Sequence, residues 1–182
     1  ENPDAILFYR LGDFYEMFFE DAKLVSQELD LVLTGRSAGV EEKVPMCGVP
    51  FHAANSYIQR LVKKGYKVAI CEQLEDPSTA KGLVDRGIIK IITPGTYMDA
   101  TMDAKSTNYM ASCDVSSFEI TVIYCELSTG ELKYQTLQRS LVALQKALLE
   151  QNVSELVCPM TMDKKWMAAL EEMDTMLISK HK

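Results

Sequence analysis

A short unbroken apolar run, Ala5 to Tyr9, ends at Leu11-Gly12-Asp13, a pattern that predicts a buried strand followed by a turn. Phe18, Ala22, Val25 and Leu29 then recur at i, i+4, i+7 and i+11, one face of a helix that runs to about Asp30. Leu31 to Leu33 reads as a strand, and Thr34 to Lys43, polar and glycine-bearing, as an exposed loop. A second helix is predicted from about Ala53 to Lys64, with Ala54, Tyr57, Ile58, Leu61 and Val62 on its buried face and Gly65 suited to a left-handed cap. Lys67 to Glu72 and Ile88 to Thr93 are strand-like, and Asp76-Pro77 suits the cap and first position of a short helical turn.

Pro94-Gly95-Thr96 and the polar, small-residue run Asp99 to Thr107 interrupt this pattern, so the expected organisation is a first domain over 1–98, a linker over 99–107 and a second domain over 108–182. Beyond the linker come three strand candidates, Tyr109 to Cys113, Glu119 to Cys125 and Glu131 to Leu137, with Ser128-Thr129-Gly130 as a turn. Ser140 caps a helix bearing Leu141, Leu144 and Leu148, and Leu156 to Cys158, a helix around Lys164 to Met173 and Met176 to Ile178 complete the series. The expected fold class is therefore α/β: a mixed-sheet first domain, then a ribonuclease-H-like α/β layer that is incomplete.

Composition narrows the function. At 182 residues, 47% apolar and 25% charged, the chain has the make-up of an ordinary globular protein. Its 19 basic and 26 acidic residues give a net charge of −7. The deficit is shared, with 11 basic against 15 acidic residues over 1–100 and 8 against 11 over 101–182. That excludes a basic surface gripping phosphates along its whole length. Cys47, Cys71, Cys113, Cys125 and Cys158 are widely spaced within apolar runs and read as buried free thiols of a cytoplasmic protein, and with only His52 and His181 a zinc site is not expected. No apolar stretch approaches the ~20 residues of a membrane span. The chain starts at Glu1, and we expect it to be part of something longer.

Signatures of nucleotide hydrolysis, dinucleotide binding, serine hydrolysis and zinc proteolysis are all missing, so no catalytic residue and no metal are expected in this chain. What stands out is Gly12-Asp13-Phe14-Tyr15-Glu16-Met17-Phe18-Phe19, at the junction of the first strand and first helix. In one reading all four rings enter the core, with Asp13 as N-cap and Glu16 as its first-turn partner. Phe14, Tyr15, Phe18 and Phe19 cannot all share one side of one helix, however, so a ring exposed beside a carboxylate is the alternative.

Leu7-Phe8-Tyr9-Arg10-Leu11-Gly12-Asp13-Phe14-Tyr15-Glu16-Met17-Phe18, Pro45-Met46-Cys47-Gly48-Val49-Pro50-Phe51-His52-Ala53, Val68-Ala69-Ile70-Cys71-Glu72-Gln73 and Thr93-Pro94-Gly95-Thr96 strongly resemble, in order and spacing, the N-terminal mismatch-recognition domain of the bacterial MutS family. The resemblance is dense from about residue 5 to 97. Past residue 107 it is weaker, carried by the three-strand pattern and Leu127-Ser128-Thr129-Gly130-Glu131, similar to the start of the family's connector domain.

The resemblance implies that Phe14 enters the minor groove of double-stranded DNA and stacks on a mispaired base, while Glu16 accepts a hydrogen bond from it. It further implies backbone or groove contacts from Arg36, Arg86 and Met46, with Lys90 and Lys81 as weaker candidates. Gly35 departs from the family pattern, which carries a basic residue there. By the same resemblance the full-length protein binds and hydrolyses ATP with Mg²⁺ in domains outside this chain, pairs with a second subunit through them, and contacts MutL through the connector. The cluster Arg60, Lys63, Lys64 and Lys67 reads as a solvated helix face. The alternatives are a metal-dependent nuclease, which needs clustered carboxylates and finds only Asp114 at the end of its strand, and a second domain that serves solely for protein docking.

Overall fold

The structure, a computed structural model, describes residues 3–37, 43–75, 84–98 and 107–181. The chain divides into two compact units, Glu1–Thr93 and Pro94–Lys182. The expected linker over 99–107 lies outside the described residues except for Thr107, as do Asp76-Pro77 and Lys81.

Unit 1 is a six-stranded mixed sheet in the order β3-β4-β2-β1-β5-β6. β1 (Ala5–Leu11) and β2 (Phe14–Phe18) form a hairpin, β3 (Thr34–Arg36) and β4 (Val44–Pro50) extend the sheet beyond β2, and β5 (Lys67–Gln73) and β6 (Arg86–Ile92) extend it beyond β1. Among the described residues of this sheet, only the β1–β5 pairing is parallel. α1 (Phe19–Leu29) and α2 (Ala54–Lys63), the latter entered through a 3₁₀ turn at Phe51–Ala53, supply the core that covers one sheet face. That core holds Ile6, Phe8, Tyr15, Met17, Cys47, Val49 and Val68 from the strands and Val25, Leu29, Ile58 and Leu61 from the helices. Phe8, Met17 and Leu61 are wholly buried, each worth roughly 1.5–3 kcal/mol relative to exposure.

The structure corrects one expectation that matters for the site. Phe14 to Phe18 is a strand, not the start of a helix; α1 begins at Phe19, and Phe18, not Asp13, is its N-cap. The change of direction falls on Phe19, held at φ 53°, a conformation that bulky residues adopt only when their surroundings impose it. Just beyond it, Asp21 ties the first turn of α1 to β1, its carboxylate accepting the Leu7 backbone N–H at 2.9 Å. Leu31 to Leu33 forms no strand, whereas Thr34–Arg36 and Val44–Pro50 do. Gly65 does take the left-handed conformation beyond α2, at φ 90°. Of the basic cluster, Lys64 pairs with Glu28 and Lys67 with Asp4, and Arg60 donates to the Leu29 carbonyl.

Unit 2 has the expected layout. β7 (Tyr109–Val115), β8 (Glu119–Glu126) and β9 (Glu131–Gln138) form an antiparallel meander, and α3 (Leu141–Glu150), β10 (Val153–Pro159), α4 (Lys164–Glu171) and β11 (Leu177–His181) follow, in the sheet order β11-β10-β7-β8-β9. Tyr109, Ala111, Cys113, Ile120, Val122 and Tyr124 face Leu144, Leu148 and Leu170 in one core. The Pro94–Thr96 turn packs onto this unit. Gly95 donates its N–H to the buried Glu155 carboxylate at 3.1 Å, and a Cβ on Gly95 would stand 2.8 Å from Glu155 Cβ, so only glycine fits. All five cysteines are free, and four are buried.

Glu126 closes the β8–β9 turn. Its carboxylate accepts from the hydroxyls and backbone N–H groups of Ser128 and Thr129, and these bonds, the Thr129 hydroxyl first, hold its pKa down to about 2. A pKa below the unfolded value of about 4.3 contributes stability present above that value and lost as pH falls toward 2. We expect urea midpoints of the parent to exceed those of Glu126→Gln by a constant margin above about pH 5, and the margin to close as the pH approaches 2. An unchanging margin over that window contradicts the assignment.

Candidate functional site

Strand periodicity builds the site. β2 lies between β1 and β4, so its alternate residues face opposite sides of the sheet. Tyr15 and Met17 point into the helix-covered core. Phe14, Glu16 and Phe18 point to the other face, and Phe14 remains 47% exposed. A motif of the form Phe-x-Glu thus has a simple geometric meaning: two residues on one face of a strand, with the intervening side chain anchoring them from behind.

The register brings neighbours onto the same face. Phe14 stands opposite Pro50, Glu16 opposite Gly48 and Phe18 opposite Met46 on β4, while Tyr9 on β1 faces Glu16 from the other side. Gly48 is where side-chain volume matters. A Cβ there would lie 3.3 Å from the Tyr15 carbonyl oxygen, 3.5 Å from Glu16 Cγ and 3.9 Å from Phe14 Cδ1. Its missing side chain lets Phe14 and Glu16 lie against the backbone of β4.

The hairpin tip that carries Phe14 is clamped from the core side. The Phe51 N–H donates to the Asp13 carbonyl at 2.9 Å, and the Arg10 guanidinium stacks 3.9 Å from the centre of the Phe51 ring while its Nε donates to the Gly12 carbonyl. Arg10 also pairs with Glu72 at 3.7 Å, and Glu72 accepts a hydrogen bond from the Tyr15 hydroxyl. Burial first, then the Glu72 carboxylate, pushes the Tyr15 phenol above its ordinary pKa. Residue spacing gave no sign of the clamp, because its members come from β1, β2, β5 and the 3₁₀ turn.

The basic candidates fare differently. Arg36, on β3 at the sheet edge, pairs through Nη1 with Glu16 Oε2, so two of the sequence candidates meet directly. Arg86 lies on the same face, over the Tyr9 ring at 5.3 Å, and donates to the carbonyls of Arg10 (3.3 Å) and Val84 (3.0 Å). Met46 is half-buried there, its sulfur 3.8 Å from the Thr34 hydroxyl. Lys90 stands opposite Ile70, whose register mate is the buried Phe8, and so belongs to the helix-bearing side. In unit 2, Asp114 is exposed, in a cleft of about 290 Å³ lined also by Arg139 and Asp163. Asp163 already caps α4, accepting from the Lys165 and Trp166 N–H groups. Among the described residues no three His, Cys, Asp or Glu side chains are grouped to hold a metal, and no helix is long and apolar enough to cross a membrane.

A mixed-sheet domain with an open face of this composition has a known counterpart: the family model for MutS domain I matches residues 1–101. DNA mismatch repair protein MutS of Clostridium botulinum is 53% identical over 162 residues, 84% of this chain and 17% of that protein. DNA mismatch repair protein MutS of Clostridium beijerinckii is 53% identical over 165 residues, 85% of this chain and 18% of that protein. The chain belongs to the MutS family of DNA mismatch repair proteins. It spans less than a fifth of the length of these relatives.

The Gly48 geometry generates a stability test. We expect Gly48→Val to force β2 and β4 apart and lower unfolding free energy by ~1–3 kcal/mol, the usual penalty of overpacking, read as a shift in the urea midpoint. An unchanged midpoint means the space beside Glu16 is not tight.

Proposed function

We propose that unit 1 recognises mispaired bases in double-stranded DNA by inserting Phe14 from the minor groove, with Glu16 accepting a hydrogen bond from the displaced base. The observation that carries this reading is the exposed Phe14 ring sharing one face of β2 with Glu16. A clamped hairpin tip supports it too, since a wedge must not yield when pressed against stacked bases.

The chemistry suits such a target. The minor groove distinguishes little beyond A·T and G·C, so a mismatch sensor gains more by testing deformability than by reading base edges. Unstacking a step costs on the order of a few kcal/mol, least where pairing is already broken, and aromatic stacking returns roughly 1–3 kcal/mol per base. One ring is therefore close to neutral at a mismatch and unfavourable in sound duplex. Glu16, repelled by phosphates, favours binding only where a base offers a donor, which makes it a specificity element.

Met46 and Arg86 would line the groove beside the wedge. Lys90 is a weaker member because of its sheet face, and Lys81 stands on sequence resemblance alone. In the full-length protein, ATP and Mg²⁺ would act in other domains, a second subunit would complete the DNA clamp, and unit 2 would relay nucleotide state and meet MutL. The protein would work in the cytoplasm.

In a full-length MutS carrying this chain, we expect Phe14→Ala to abolish preference for a G·T or unpaired-base duplex over matched duplex while ATP hydrolysis persists. Equal preference in variant and parent removes the wedge. We also expect the isolated 182 residues to bind DNA weakly and to lack ATPase activity, because one wedge and a few contacts cannot offset the ~1–6 kcal/mol of bending a site. A tight gel shift at physiological salt contradicts this.

A further inference from the structure

The pairing of Arg36 with Glu16 bears on what Arg36 does. A phosphate-contacting arginine is expected to hold its guanidinium free toward solvent. Arg36 instead reaches from β3 across β4 to the carboxylate on β2. The Glu16 side chain is 16% exposed and that of Arg36 48%, so the acid is the sheltered partner and the arginine covers it from the rim. The contact uses Oε2 alone; among the described residues Oε1 accepts no hydrogen bond from the protein.

We infer that Arg36 is a positioning residue for Glu16: it stays on Oε2 and turns Oε1 toward the groove. This rests on the proposed role of Glu16 and reassigns Arg36 from backbone contact to specificity. Two physical reasons favour it. A carboxylate on a flexible side chain discriminates between bases only if its orientation is fixed, and a charge-assisted hydrogen bond fixes it. An arginine already neutralised by a glutamate displaces few counterions from DNA, so it adds little to non-specific affinity. β3 then has a function beyond closing the sheet edge. Its three exposed residues carry the guanidinium to its place, and Gly48 keeps bulk away from Glu16 on the intervening strand.

The two roles separate in binding measurements on a full-length MutS carrying this chain, with G·T and matched duplexes titrated across a salt series. For Arg36→Met we expect the mismatch-to-matched affinity ratio to fall about tenfold, the scale of one charge-assisted hydrogen bond, with the slope of log K against log salt unchanged. Arg36→Lys, which retains the charge without the forked geometry, should recover only part of the ratio. Glu16→Gln should change the ratio strongly in the parent and little in the Arg36→Met background, since the two residues act as a unit. If Arg36→Met instead weakens both duplexes equally and reduces the slope by about one, Arg36 holds a phosphate and the inference is wrong. An unchanged ratio and slope overturn it as well. Phe14→Ala, run in parallel, isolates the underlying reading: if that variant keeps its mismatch preference, the recognition role fails at the wedge, whatever Arg36 does.

Discussion

Everything in unit 1 that bears on function depends on β2 being a strand hydrogen-bonded on both sides. Held between β1 and β4, it has no freedom to turn, and its two-residue period assigns each side chain to a face. Tyr15 and Met17 anchor the strand in the core, and that burial fixes where Phe14 and Glu16 point. A register slip of one residue would exchange the two sets, putting Glu16 into the apolar core and Met17 on the open face. The core that stabilises the domain is therefore also what aims the candidate site.

The strain at the end of β2 follows from the same constraint. The chain must leave the sheet at Phe18 and enter α1 at Phe19 without an intervening loop, and Phe19 takes a left-handed conformation to do so. A loop there would relieve the strain but loosen the C-terminal anchor of a five-residue strand. At the other end, Arg10, Phe51, Tyr15 and Glu72 hold the tip. The short strand is fixed at both ends, which suits the proposed wedge.

Most elements were legible because their apolar spacing was complete: α2, β5, β6 and the whole of unit 2 follow the predicted pattern, with Gly65 and Ser140 at the expected helix ends. β2 departs from the strand pattern for a physical reason. Its outward positions, Phe14 and Phe18, are aromatic, so the polar half of the alternation that marks a half-buried strand is missing. β4 was hidden by Pro45, Gly48 and Pro50, residues that argue against an interior strand. Leu31 to Leu33 has strand composition but no partner, with Val32 and Leu33 exposed. Family resemblance picks out the candidate residues, whereas no spacing shows their assembly. Arg36 and Glu16 are 20 residues apart, and only the folding of β3 and β4 against β2 brings them together.

That meeting also changes what the charge of −7 means. An acidic chain first argues against nucleic acid, because affinity for duplex comes mostly from phosphate neutralisation. A mismatch sensor faces the opposite difficulty, since sound duplex outnumbers its target enormously and any general attraction is spent on the wrong sites. On the proposed reading, low bulk attraction is useful, and the few cations on the open face carry particular duties. Arg86 is held over Tyr9 by two backbone carbonyls, and Arg36 is held by Glu16. Neither is a loose charge of the kind that grips any phosphate it meets. Discrimination then resides in a ring that only a weakened step admits and a carboxylate that only a donor satisfies, and the arginine beside that carboxylate holds it in the orientation that meets the donor.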